Sequence, residues 1–243
     1  MFALLLIMKF TIIRLTKSIF VKLRLHYLVG PLESFFLQLT YLSKMSRWMN
    51  QHRAIPGNDF LSKWDYNKRF QLYSKIIAQE QLTEPISYLE FGVASGASFK
   101  WWMEQNKEAG SRFYGFDTFT GLPEDFGPYK KGYFNSGSIP TITDNRGSFH
   151  QGLFQQTLPG FLKTFADDKR KVIMMDADLY TATLYTLSML APYLKKGDII
   201  LFDEFSVPTH EFKAYQDFIQ CFYLDLEPIG VINNYYFIAF KVK

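Results

Sequence analysis

The stretch YLEFGVASGASF, Tyr88 to Phe99, reads as a short buried strand ending on Glu90, a glycine turn at Gly92 and Gly96, and the opening of a helix. A parallel α/β sheet gathers its ligand at such turns, because glycine lets backbone approach closely and the helix start offers unpaired N–H groups. The spacing is E-x-G-x-x-x-G rather than the dinucleotide pattern G-x-G-x-x-G. A carboxylate before the turn repels a pyrophosphate and attracts a cation or hydroxyls. That combination points to S-adenosylmethionine, which carries an amino group, a ribose diol and a sulfonium but no phosphate. Glu90, Gly92, Ser95 and Gly96 are therefore the expected cofactor-binding residues. The alternative is a plain strand-to-helix connection in another α/β protein.

Strand and helix patterns alternate on both sides of this turn. Upstream, Leu61, Trp64, Phe70, Tyr73, Ile76 and Ile77 keep helical spacing between Phe60 and Gln81. Downstream come a helix with Trp101, Trp102 and Met103, an apolar run from Phe113 to Asp117, a strand near Ser148 to His150 and a helix around Phe154 to Phe165. KVIMMD, Lys171 to Asp176, is a buried strand. The helix from Leu179 to Leu194 stops at Lys195-Lys196-Gly197, and GDIILFDEF gives a strand ending on Asp203. Two β-rich runs around Asn233-Asn234 read as an antiparallel pair closing the sheet edge. The expected fold is a doubly wound, mostly parallel sheet with an antiparallel C-terminal hairpin.

Gly121 to Gly147 breaks the alternation. It holds five glycines, three prolines and the aromatics Phe126, Tyr129, Tyr133 and Phe134 without a sustained period. Long irregular segments inside a domain are commonly functional, so a lid is expected here, with a solvated linker as the alternative.

Two strands finish in acids, Asp176-Ala-Asp178 and Asp203-Glu204. Ligands bind outside the carboxyl ends of strands in open α/β sheets, so these side chains should converge. Clustered carboxylates repel unless a cation or protonation relieves them, and oxygen-only ligands favour a hard ion such as Mg²⁺. The alternative is that Asp178 caps the next helix and Asp203 the next loop. Asp117, at the end of the second strand, is expected to bind ribose hydroxyls. His210, followed by Glu211, is near enough in sequence to line the acceptor site or act as a base, and His150 sits at a strand end where an adenine could lie.

The strings YLEFGVASGASF, FYGFDTFTGLPE, GLFQQTLPGF, MDADLYTATL and ILFDEF, between Ser87 and Phe205, resemble the macrocin-type O-methyltransferases. The resemblance implies a class I (Rossmann-like) seven-stranded fold, S-adenosylmethionine and Mg²⁺ as cofactors, and a sugar hydroxyl as acceptor. It also implies Asp176, Asp203 and Glu204 as metal ligands and Asp178 as the base that removes the proton. The family's usual acidic pair is Asp-Asp, from which Glu204 departs. The competing functions are a nicotinamide-dependent oxidoreductase, disfavoured by the glycine spacing and Glu90, and a non-catalytic membrane-associated binding module on the same scaffold.

The chain has 243 residues, 48% hydrophobic and 18% aromatic, enough for one substantial core. Residues 1–55 read as a basic, apolar helical appendage with a connector from residue 30 to 58, and residues 56–243 as the methyltransferase domain. A single cysteine, Cys221, rules out an internal disulfide, fits a reducing, cytoplasmic setting and reads as a buried structural thiol. The net charge of +4 is uneven: residues 1–30 hold Lys9, Arg14, Lys17, Lys22 and Arg24 and no acid, leaving a nearly neutral body with no nucleic-acid surface. The apolar start is too short to span a bilayer, and no signal-peptide cleavage site follows it. Ile12, Leu15, Ile19 and Leu23 read as an apolar stripe opposite Arg14, Lys17 and Arg24, suited to the inner face of an anionic membrane through residues 1–28. The alternative is packing on the domain or on a second copy in a homo-oligomer.

Overall fold

The computed structural model describes residues 2–59, 65–165 and 167–243, with side chains from residue 5 onward. The chain divides into two compact units, Met1–Lys44 and Met45–Lys243.

The first unit holds α1 (Phe2–Lys22), a short α2 (His26–Val29), a 3₁₀ turn Gly30–Leu32 and the start of α3 (Glu33–Gln51). The expected connector beginning at residue 30 is thus largely helix, because Pro31 sits at the start of a helical turn, where its missing N–H costs nothing. Of the expected stripe, Ile12, Leu15 and Ile19 lie on α1, and apolar residues extend beyond it. Leu5, Leu6, Ile7 and Met8 are consecutive and all exposed, as are Phe10, Ile12, Ile13, Leu15, Ile19, Phe20 and Val21, so apolar residues surround the helix; Leu23 lies beyond its end. Among the described residues, no helix is long and apolar enough to cross a membrane.

The second unit is built on a seven-stranded sheet of order β3-β2-β1-β4-β5-β7-β6. Its strands are β1 (Ile86–Phe91), β2 (Arg112–Asp117), β3 (Gly147–Gln151), β4 (Arg170–Met175), β5 (Ile199–Phe202), β6 (Leu226–Ile232) and β7 (Phe237–Val242). β3, β2, β1, β4 and β5 run parallel, while β7 is antiparallel to β5 and to β6. The helices are α4 (Lys68–Glu80), α5 (Ala97–Gln105), α6 (Phe154–Thr164), α7 (Tyr180–Leu190) and α8 (Glu211–Phe222). The doubly wound reading holds. α4 begins at Lys68; Phe60, Leu61 and Trp64, which the helical spacing included, lie outside the described residues. α7 gives way to a 3₁₀ turn at Ala191–Tyr193, since Pro192 cannot continue the α-helical ladder to Leu194.

β1, fully buried along its length, lies between β2 and β4 and packs Tyr88 against Trp102 with ring centroids 5.3 Å apart. Burial on both faces explains the near-continuous apolar runs of β1, β4 and β5. Cys221 is exposed, contrary to the sequence expectation. The buried face of α8 is Glu211, Phe212, Ala214, Tyr215 and Phe218, and the last turn of the helix emerges from the core.

Candidate active site

The C-terminal ends of β1, β2, β4 and β5 bring the expected residues to one edge of the sheet. After β1 the chain turns at Gly92, whose φ is +97°. A Cβ there would lie 1.6 Å from the carbonyl oxygen of Asp176, so only glycine permits the turn to rest on the backbone that follows β4. Gly96, with φ +78°, precedes the first residue of α5, and its N–H reaches Val93 O at 2.8 Å. Ser95 is exposed at the tip of this turn. Asp117 clasps the turn from the end of β2: its Oδ2 accepts the Ala94 N–H at 2.7 Å and its Oδ1 accepts the Phe119 N–H at 2.7 Å. Oδ1 also receives the Thr118 hydroxyl at 3.5 Å, and Oδ2 keeps a further lone pair for a ligand hydroxyl.

Glu90 lies beneath the turn rather than facing outward. It is fully buried, and its two oxygens accept hydrogen bonds from Tyr88 Oη and Ser98 Oγ, both at 2.6 Å. Burial drives its pKa up to about 7, against the opposing pull of these two donors. Its placement makes it a support of the turn and the α5 start.

The acids after β4 and β5 form two pairs. Asp176 and Asp203 face Arg69 of α4, whose Nη1 stands 3.6 Å from Asp176 Oδ2 and 3.5 Å from Asp203 Oδ2. Arg69 is itself buried, its guanidinium 3.9 Å from the Tyr66 ring centroid and 5.2 Å from that of Phe70, and it donates to the Tyr66 hydroxyl. Tyr73 Oη donates to Asp203 Oδ1 at 3.3 Å. Desolvation, then the Asp203 and Asp178 charges, push Asp176 well above the carboxylate range, while Arg69 pulls the other way. Asp203 is also raised by burial, opposed by Arg69, Tyr66 and Tyr73.

Asp178 and Glu204 form the second pair. Burial and the neighbouring Glu204 charge lift Asp178 to about 8; burial lifts Glu204 to about 7, against the hydrogen bond it accepts from Tyr236 Oη. Asp178 takes a left-handed conformation, φ +56°, and α7 receives no side-chain cap, so the helix-capping alternative does not describe it. The Glu204 N–H donates to the wholly buried Glu211 at 2.9 Å.

His210 is brought to this pair: its ring meets Phe126 edge-on with centroids 4.8 Å apart, and Nδ1 accepts the Tyr180 N–H at 3.4 Å. Desolvation lowers its pKa, favouring the neutral imidazole. Leu122 and Phe126 pack with Leu179, and Thr181 Oγ1 donates to Glu124 at 2.9 Å. The irregular segment after β2 therefore walls the acidic site. His150 stacks on Phe116 with centroids 4.6 Å apart, and its Nε2 is buried without a hydrogen-bond partner.

The divalent ion implied by the sequence resemblance can be tested on the donor set. The oxygens are hard donors, and Asp203 Oδ2 and Glu204 Oε2 are buried with no hydrogen-bond donor. Arg69, however, already lies against both Asp176 and Asp203, and among the described residues no three His, Cys, Asp or Glu side chains gather as a ligand set. As arranged, the residues do not fit a resident divalent ion. Arg69 is the residue that sequence reasoning missed; its only local signal is the flanking of one arginine by Tyr66 and Phe70.

Residues 89–205, just under half of the chain, match the family model described as a methyltransferase domain. The structure of CalS11, a calicheamicin methyltransferase, is similar with a TM-score of 0.56 at 23% identity, covering 73% of this chain and 78% of that one. The O-methyltransferase NovP gives 0.52 at 19% identity, over 72% and 78%. The fold is that of the class I methyltransferases. An apo structure described as CalS11, TDP-rhamnose 3'-O-methyltransferase, gives 0.50 at 22% identity, over 73% and 78%. No curated protein matches the chain.

Proposed function

We propose that the chain transfers a methyl group from S-adenosylmethionine to a hydroxyl, with a sugar or glycan as the acceptor class. One juxtaposition carries the reading: Gly92 rests on the Asp176 backbone, which sets the glycine turn beside the acid pair Asp178–Glu204. The methyltransferase-domain match over residues 89–205 supports the reaction class. The sugar acceptor is supported by the macrocin-type strings in the sequence and by the TDP-rhamnose acceptor named for one similar structure.

S-adenosylmethionine supplies an electrophilic methyl on a sulfonium. The chain's task is to align an acceptor oxygen in line with that methyl and to relieve it of its proton. The Gly92–Gly96 turn and Asp117 hold the cofactor's polar groups. Asp178 takes the hydroxyl proton, and Glu204, fixed by Tyr236, holds Asp178's carboxyl in place through their shared environment. His210 and the Leu122–Phe126 wall shape the acceptor side. A divalent ion would have to displace Arg69 from Asp176 and Asp203, and no step of this scheme needs one.

The test is calorimetry with S-adenosylhomocysteine, followed by transfer of labelled methyl to a panel of sugar hydroxyls. Binding and labelling of at least one sugar support the reading; NADH binding with no response to S-adenosylhomocysteine overturns it. Labelling confined to non-sugar hydroxyls keeps the reaction and removes the acceptor class.

A further inference from the structure

We propose that residues 2–44 form a docking unit for an anionic lipid surface. The first observation is exposure. Side chains Leu5, Ile7, Phe10, Ile12, Leu15 and Val21 of α1 are each more than half exposed, and the α3 start adds Phe35 and Phe36. Aqueous proteins do not leave so much contiguous apolar surface open without a partner.

Charge identifies that partner. Residues 1–44 contain Lys9, Arg14, Lys17, Lys22, Arg24 and Lys44 against a single acid, Glu33. A second copy of the unit would bring two like-charged sets together, whereas anionic headgroups neutralise them. The long stems of lysine and arginine let the charged ends reach headgroups while their helix lies among acyl chains.

The α1 hydroxyls are compatible with that partner. Thr11, Thr16 and Ser18 donate to the carbonyls of Ile7, Ile12 and Arg14 at 2.9, 2.9 and 2.8 Å. Each is satisfied by its own helix, so none would be left without a partner at a lipid interface. Since no described helix is long and apolar enough to cross, α1 would lie in the plane of the interface.

The full chain should co-sediment with vesicles of phosphatidylcholine mixed with phosphatidylglycerol at low salt, and bind pure phosphatidylcholine or bind at high salt at least roughly tenfold more weakly. Replacing Lys9, Arg14, Lys17 and Lys22 together by Gln should weaken anionic-vesicle binding by at least about tenfold with the melting temperature unchanged. Replacing Ile12, Leu15 and Ile19 by Gln should also release the protein, including at low salt. Failure of the full chain to bind anionic vesicles at low salt overturns the proposal. If it is then a dimer that these apolar substitutions dissociate, the surface is a self-association face.

Discussion

Nη1 of Arg69 lies 3.5 Å from Oδ2 of Asp203, pairing a helix that precedes the sheet with the acid that ends its fourth parallel step. The same nitrogen is 3.6 Å from Asp176. One guanidinium thus relieves the repulsion between a buried carboxylate, Asp203, and a half-buried one, Asp176.

Arg69→Met should leave those carboxylates uncompensated and destabilise the protein by about 3–5 kcal/mol near neutral pH. The loss should shrink as pH falls and protonation relieves the acids, since both are pushed above the usual range by burial. Thermal melts of both proteins across pH check this. The variant should also bind Mg²⁺ more tightly than the wild type, because an occupant of the acidic pocket has been removed. Tight Mg²⁺ binding by the wild type, with activity abolished by EDTA, would mean that Arg69 yields to the ion.

For Asp178 the sign follows from its proposed role as the base. A base must be deprotonated, and burial followed by the Glu204 charge raises it to about 8, so the rate should rise with pH through that region. Glu204→Gln removes the adjacent charge and should move the rising limb to lower pH. Asp178→Asn should reduce kcat by about 10² to 10⁴-fold with little change in S-adenosylhomocysteine affinity. A pH profile unchanged by Glu204→Gln would separate the two acids.

Glu90 makes a stability prediction. Its folded pKa of about 7 exceeds the unfolded value, so its contribution is complete below about pH 4.5 and is lost as pH rises through about 7. The penalty above that range is about 3 kcal/mol, and Glu90→Gln should flatten the corresponding part of the melting-temperature curve. Identical pH dependence in variant and wild type would show that Glu90 is not the group responsible.

Gly92→Ala should be far more damaging than Gly96→Ala. At Gly92 the new carbon meets the Asp176 carbonyl at 1.6 Å, whereas at Gly96 it meets Pro140 Cβ at 3.0 Å. We expect several kcal/mol at the first site and about 1 kcal/mol at the second, read by thermal melts and by S-adenosylhomocysteine calorimetry.

Much of this arrangement was legible from local pattern. Buried strands ending in Asp117, Asp176 and Asp203, and a glycine turn after β1, are features of short segments, and the rule that ligands sit at strand ends does the rest. What was not legible depends on direction. β1 is buried on both faces, so its pattern carries no alternation to say which way Glu90 points. Arg69 meets its partners across more than a hundred residues of chain, and nothing in the run around it announces an acidic pocket. On α1 the pattern is weaker for another reason: apolar residues also lie off the stripe, at Leu6, Ile7, Phe10, Ile13, Phe20 and Val21.

The contact between Gly92 and the Asp176 carbonyl welds the glycine turn and the acidic strand end into one piece of backbone. Neither can drift without dragging the other, which leaves little room there for divergence. Under the proposed reaction, a change of acceptor would fall to the irregular segment between β2 and β3, where Phe126 already reaches His210.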